Sequence, residues 1–522
     1  MMALKDILDK YSIFSPFQSI MVCVLSLPLT FVATHNLMQV FTAAIPPFQC
    51  RSNITLYHKW LPPDPCTRFV SFSTNDTQSC SEDYGWEYDS SEYTSTIISE
   101  WNLVCQWEAL KEVAQSVYMA GVLVGAMVYG PFADRFGRRA AVLCCLLQVA
   151  AMGTGVSLSP NFTLYCFFRF LTGMGLCGLV INDLCLAIEW VPTKYRSAVS
   201  IFQSICVTFG QVVLAGIGYA IRDWRWLQRA LSLPYFLFFI LAWWVPESFR
   251  WLILANRSQQ ALDNLNRVAR INGKKGASSV TLEMLKPEDQ NGEPSARNKL
   301  TPLDLFRTPT MRKITISLCM SWFSCSFCYY ALAMDVQRFG LNIYLVQVVF
   351  GCSELSLRVL SMGTVTYIGR RFSVCFYLIL SGILILSGLA IPADMTILQI
   401  SATMLAKGSL GSAIICSYLY TAELYPTVLR QTGVGFTNMM MRLGAVVSPI
   451  VMMTKIYFDF LPFIMFGVVP IICAVPIMFL PETLNSPLLD TIEEVEKGYW
   501  KGTPDMKSTK TQEAQNVQGT RL

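Results

Sequence analysis

The sequence predicts an all-α membrane protein: twelve spanning helices arranged as two six-helix halves, with one large outer loop. Three observations carry this. The 522 residues are 53% hydrophobic and only 14% charged, against about 25% charged in an ordinary soluble domain. Twelve apolar runs approach the roughly 20 residues that a spanning helix needs. Three short charged patterns also occur twice at nearly one spacing.

The runs lie near residues 17–40, 113–133, 140–159, 162–188, 198–220, 230–247, 313–334, 343–367, 373–391, 396–421, 432–454 and 460–480. An even number puts both ends of the chain on one side. The divisions are an N-terminal segment 1–16, a first half 17–247 with a loop at 41–112, a linking loop 248–312, a second half 313–482 and a tail 483–522. The N-terminal segment lacks a signal-peptide pattern, so the first run is expected to stay as a helix.

Charge sets the sidedness. The linking loop carries Arg250, Arg257, Arg267, Arg270, Lys274 and Lys275 among its bases, and short turns hold Arg135, Arg138 and Arg139, then Arg370 and Arg371. All fall on the side of the termini, which the positive-inside rule makes cytoplasmic. The short outer loop RDWRWLQR, 222–229, votes the other way. The net charge of +5 is too small and too scattered for a nucleic-acid surface.

The loop at 41–112 holds Cys50, Cys66, Cys80 and Cys105, enough for two disulfides in one of three pairings. Its sequons at Asn53 and Asn75 predict glycosylation. Asn161 lies in a very short loop and Asn256 on the cytoplasmic side, so neither is expected to be used. Cys325 and Cys328 are spaced like a redox pair but sit in an apolar run, where packing explains them better.

The repeated patterns are Gly137-Arg138-Arg139 with Gly369-Arg370-Arg371, Glu189-x-x-Pro192-x-x-x-Arg196 with Glu423-x-x-Pro426-x-x-x-Arg430, and Pro246-Glu247-Ser248 with Pro481-Glu482-Thr483. Their spacings are 232 (137 to 369), 234 (189 to 423) and 235 (246 to 481) residues. A duplicated six-helix half is how many secondary transporters are built, with the substrate at the midplane. Asp134, Arg138, Glu189, Arg196, Arg370, Glu423 and Arg430 are the candidate gating charges, expected to pair across the halves when the inner gate is shut. Simple anchoring of the bases near headgroups is the plainer reading.

Nothing in the chain looks like an enzyme. There is no Walker pattern, no metal-ligand cluster and no triad, and no cofactor is expected. Gly173-x-Gly175-x-x-Gly178 spells a dinucleotide fingerprint inside an apolar helix, where close helix packing accounts for it. His35 and His58 are the two histidines. The intramembrane ionisable groups are Arg169, Asp183, Glu354, Arg358, Lys407 and Arg442. Such groups face the bundle interior or a wet cavity by default. Arg442, midway along MMMRLGAVVSPI, and Arg358 give the second half an electropositive centre, and Arg presents a fork suited to a carboxylate. Glu354, four residues before Arg358, could neutralise it, and Asp183 could do the same for Arg442. Trp322, Tyr329, Tyr330, Tyr219, Tyr418 and Tyr420 would supply apolar walls.

These motifs carry a family resemblance. GPFADRFGRR is similar to the loop signature of the major facilitator superfamily, and PESFRWL and PETL resemble its sugar and organic-ion branch. THNLMQVFTAAIPPFQC, STIISEWNLVC, IGRR and AELYPTVLRQTGVG resemble solute carrier family 22 over nearly the whole chain. MMMRLGAVVSPI and GCSELSLRVL look like its organic anion transporter branch, since cation-carrying relatives tend to have Asp where this chain has Arg442. The resemblance implies a substrate cavity at Asn36, Tyr219, Trp322, Tyr329, Tyr330, Arg358, Tyr418 and Arg442. The eighth-helix base is often Lys in that branch and is Arg here, as it also looks to be in nicotinate/urate-type members. Ile414 stands where some members have an aromatic residue.

The resemblance therefore implies a plasma-membrane organic anion transporter (urate, nicotinate or drug-like carboxylates) working by alternating access. It would exchange its cargo for a counter-anion such as a dicarboxylate or lactate. A transporter of organic cations or carnitine-like zwitterions is the alternative, with Asp183 and Glu354 dominant. A non-transporting membrane scaffold is a third reading, against which the paired motifs speak. The C-terminal Thr520-Arg521-Leu522 fits a PDZ ligand.

Overall fold

The structure is a computed structural model describing residues 16–51, 66–71, 76–80, 85–192, 195–272, 303–392, 394–484, 486, 489 and 491–497. Asn53, Asn75, Thr520 and Leu522 lie outside the described residues.

Eleven helices among the described residues are long and apolar enough to cross a membrane. The first is α1 (Pro16–Leu37), followed after the long loop by α3 (Ala109–Phe136), α4 (Arg138–Leu158), α5 (Phe162–Trp190) and α6 (Arg196–Ala220). The expected sixth helix is broken in two, α7 (Trp224–Ser232) and α8 (Pro234–Ala242). It starts earlier than the apolar run at 230 because Asp223 caps it, its side chain accepting from Trp226 N at 2.9 Å. Pro234 begins α8 at a first-turn position, where its missing N–H costs nothing. The remaining spans are α9 (Pro309–Met334), α10 (Ile343–Tyr367), α11 (Arg370–Ala390), α12 (Thr396–Leu424), α13 (Arg430–Met452) and α14 (Leu461–Met478), and a short α15 (Ile492–Glu496) follows.

The loop after α1 is not helical throughout. β1 (Phe48–Cys50) pairs antiparallel with β4 (Trp86–Tyr88), and β2 (Thr67–Ser71) with β3 (Asp76–Ser79). Of the three possible disulfide pairings, Cys50–Cys80 and Cys66–Cys105 form. Their closed stretches of 30 and 39 residues interleave, so each bridge constrains the other's loop. Breaking either by a double Cys→Ser change is expected to destabilise the loop by about 3–4 kcal/mol. Loss of mature surface protein in a biotinylation assay checks this.

The basic loop at 222–229 is explained by its partners. The short helix α2 (Ile97–Trp101) brings Glu100 to Arg225, which ion-pairs with it. Arg225 also donates to the carbonyls of Ser157 (2.6 Å) and Ser159 (2.8 Å) at the end of α4. Arg229 donates to Ser157 Oγ at 3.2 Å and stacks over Trp226. A cation satisfying helix-terminal carbonyls is a structural group, so these arginines do not report sidedness.

The chain forms two compact units. One gathers Met1–Gln290 with Ala333–Gly351 and Pro449–Thr454; the other gathers Asn291–Leu332, Cys352–Ser448 and Lys455–Leu522. In the first, α5 lies against α3 so closely that a Cβ on Gly173 would strike the Tyr118 carbonyl, while Gly175 faces Val149 of α4. The glycine-rich stretch is therefore a packing surface. In the second, the core gathers Trp322, Cys325, Tyr377, Leu378, Cys416 and Tyr420. Cys325 and Cys328 are both fully buried there, with Cys328 Sγ donating to the Phe466 carbonyl at 3.2 Å.

α15 fastens the second unit's α9. The Glu496 carboxylate accepts from Thr310 N (2.9 Å), Thr310 Oγ1 (2.7 Å) and Met311 N (3.4 Å). Desolvation pushes its pKa up, but these hydrogen bonds prevail and hold it below the ordinary carboxylate value. A depressed folded-state pKa gives stability that is present above the unfolded pKa and lost as pH falls through the folded one. Wild type should therefore exceed Glu496→Gln in stability at neutral pH, because an ionised carboxylate is the stronger acceptor. Thermal melts should show the gap closing on acidification below the normal carboxylate range.

Candidate functional site

The sequence-expected site residues fall in both units. In the second unit, α9 presents Trp322 at one level and Tyr329 and Tyr330 two turns further on. Trp322 is fully buried, its Nε1 donating to Thr421 Oγ1 at 3.0 Å. It meets Tyr418 of α12 edge-on at 4.4 Å between ring centroids. Tyr418 is 41% exposed, and its hydroxyl donates to Asn438 Oδ1 at 2.8 Å. Asn438 is four residues before Arg442 on α13, so the two share one helix face. That bond turns the Arg442 face of α13 towards the Trp322–Tyr418 pair. Arg442 itself is half-buried, twelve residues into the helix.

The second level is a charged cluster. Arg358 Nη2 pairs with Glu354 Oε1 at 2.6 Å along α10, as their spacing of four allows. Lys407 of α12, 1% exposed, reaches Glu354 Oε2 at 3.4 Å. Tyr329 donates to the same oxygen at 3.0 Å, and the Lys407 ammonium lies 5.2 Å from its ring centroid. Tyr330 packs edge-on against Tyr329. One carboxylate thus serves two bases. Lys407 and Glu354 are both visible in the sequence as intramembrane charges, but 53 residues and one intervening helix separate them, so no spacing rule joins them.

Asn36 and Tyr219 lie in the first unit. Asn36 Oδ1 accepts from Tyr118 Oη at 2.6 Å. Tyr219 is 59% exposed, meets Tyr344 edge-on at 5.6 Å and lies under Arg222. Tyr344 also stacks on Phe41 at 5.3 Å. Asp183 is fully buried and accepts from Gln203 Nε2 at 3.1 Å.

The gating candidates form matched clusters, each inside its own unit. Arg138 pairs with Asp134 at 2.8 Å and lies 3.7 Å from Glu189; Arg370 pairs with Glu423 at 3.1 Å. Arg138 and Arg370 each also donate to the carbonyl five residues earlier, Ala133 and Val365. Arg196 and Arg430 do likewise to Val191 and Tyr425. Beneath each turn sits an acid whose partner the sequence reading did not assign. Glu247 accepts from Arg139 N (3.0 Å), and Glu482 from Arg370 N (2.8 Å) and Arg371 N (3.1 Å). Gly137 (φ +105°) and Gly369 (φ +126°) adopt a backbone open to glycine, and a Cβ there would collide with these carboxylates. The common spacing of the glycines and the glutamates was the signal that could have linked them.

The sugar (and other) transporter family matches residues 65–497. The chain is 43% identical to solute carrier family 22 member 6-B of Xenopus laevis, covering 95% of each chain. It is 42% identical to organic anion transporter 3 of Homo sapiens, covering 95% of this chain and 94% of that one. Among solved structures, the inward-open xylose transporter XylE of E. coli aligns with a TM-score of 0.63 at 17% identity, over 92% of this chain and 98% of that one. That likeness bears on the fold alone.

Proposed function

We propose, for a chain that belongs to the sugar (and other) transporter family and within it to solute carrier family 22, transport of organic anions across the plasma membrane by alternating access. The observation that carries this reading is the gathering of three basic side chains, Arg358, Lys407 and Arg442, on helices that also carry aromatic walls in the second unit. Glu354 is shared by Arg358 and Lys407, and Arg442 lies on the helix face that Tyr418 touches. Arg442 holds the substrate carboxylate, Arg358 supplies field, and Trp322, Tyr329, Tyr330 and Tyr418 line the apolar body. Asn36 and Tyr219, in the first unit, are further substrate-binding candidates. The names of the relatives point the same way. A cation site would need a carboxylate to spare, and Glu354 is engaged by two bases while Asp183 is turned to Gln203.

The charge clusters of Asp134, Arg138 and Glu189, and of Arg370 and Glu423, with Arg196 and Arg430, latch and release during the cycle. Exchange for a dicarboxylate or lactate-like anion drives uptake. The termini face the cytoplasm, the loop at 41–112 carries glycans at Asn53 and Asn75, and the C-terminus offers Thr520 and Leu522 to a PDZ domain. Uptake of a labelled aromatic monocarboxylate and of a quaternary ammonium probe into expressing cells tests the main reading. The carboxylate should enter and the ammonium should not. Preloading cells with a dicarboxylate should accelerate uptake if exchange is the mode.

A further inference from the structure

Arg169, in the first unit, is a buried charge that no carboxylate ion-pairs with among the described residues. Its side chain on α5 is fully buried (0% exposed), and a guanidinium does not deprotonate in a protein. It lies over the Tyr118 ring at 4.2 Å, and its Nη1 donates at 3.5 Å, the limit of a hydrogen bond, to the His35 carbonyl. Its Nε and Nη2 make no hydrogen bond among the described residues. His35, Tyr165 and Cys166 feel its charge, and all are neutral in their ordinary forms near pH 7 or readily so. Asp183, the acid further along α5, is fourteen residues on, about 21 Å at 1.5 Å per residue, and it is engaged by Gln203.

Other buried bases in the molecule are treated differently. Arg358 and Lys407 share Glu354, and Arg370 has Glu423. A cation in an apolar bundle requires a counter-charge or full hydrogen bonding, and buried polar atoms without partners point to a bound ion or water. Water would satisfy the N–H groups but leave the charge.

We propose that Arg169, beside His35, binds a small monovalent inorganic anion of the chloride class. Complete burial favours a monatomic ion over a carboxylate with an organic body, which the first unit would have to open to admit. The site is separate from Arg442 and Arg358, and it does not depend on which substrate is carried. The ion would serve as a fixed counter-charge holding α1, α3 and α5 together around His35, Tyr118 and Arg169.

The test uses the purified full-length protein. Thermal unfolding is followed in sodium chloride and in sodium gluconate at equal ionic strength, together with equilibrium binding of radiolabelled chloride. Wild type should melt several degrees higher in chloride, with a saturable dependence. Arg169→Met should lose both the shift and the binding, while Glu496→Gln, outside both anion sites, should keep them. No chloride-specific shift and no binding in wild type would overturn the proposal, without needing any variant to fold. Loss of the shift in Arg442→Ser with its retention in Arg169→Met would also overturn it, placing the ion in the other unit.

Discussion

Arg442→Asp is expected to abolish uptake of an aromatic monocarboxylate while the protein still reaches the cell surface. Arg442 is half-buried in the middle of α13, on the face that Asn438 turns towards Tyr418. Removing one partner of a desolvated, hydrogen-bonded charge pair costs about 2–5 kcal/mol. At 1.4 kcal/mol per decade this is a loss of roughly 30- to 4000-fold, and the introduced carboxylate adds repulsion. Arg442→Lys separates the two parts of the effect. It keeps the charge but not the planar fork, so uptake should fall less and mainly through a weaker apparent affinity. Unchanged uptake in Arg442→Asp, with normal surface protein, would remove Arg442 from the substrate site.

Glu354→Ala is expected to have the largest effect on stability. It leaves Lys407, 1% exposed, and Arg358 as two neighbouring cations without their shared acid. Breaking a buried pair by removing one partner costs about 3–5 kcal/mol, whereas replacing the whole pair with apolar groups is often neutral. The paired change Glu354→Leu with Lys407→Met should therefore recover much of the folded protein that Glu354→Ala loses, as read by fluorescence-detected size exclusion on heating. If the single and the paired variants melt together, the cluster does not act as a coupled unit.

The fold was legible where one local rule sufficed. Apolar length marks a span, so eleven helices stand where the runs were read. The sixth was misplaced because α7 is amphipathic: its arginines interrupt the apolar run, and its start is fixed by the Asp223 cap. The same arginines were the one dissent from the charge rule. Arg225 is consumed by Glu100 and by the carbonyls of α4, contacts that join stretches over 60 residues apart.

The site divides in the same way. Arg358 with Glu354 is an i,i+4 pair and could be read from one helix. Lys407 with Glu354, Tyr418 with Asn438, and Arg169 alone above Tyr118 needed the packing of different helices. The gating charges were read as pairing across the halves when the inner gate is shut; within each unit the described residues show Arg138 with Asp134 and Arg370 with Glu423, and Glu247 and Glu482 as the acids beneath the glycine turns.

By itself the sequence determined the membrane class, the repeated charged motifs and which ionisable groups stand within apolar runs, because these depend on composition, length and spacing along one chain. Tertiary structure alone decided which charges are neutralised and which are left over, which cysteines pair, and where a helix breaks against its neighbours. Those outcomes depend on distances between residues that the chain keeps far apart, and a Coulomb interaction or a hydrogen bond responds to separation in space.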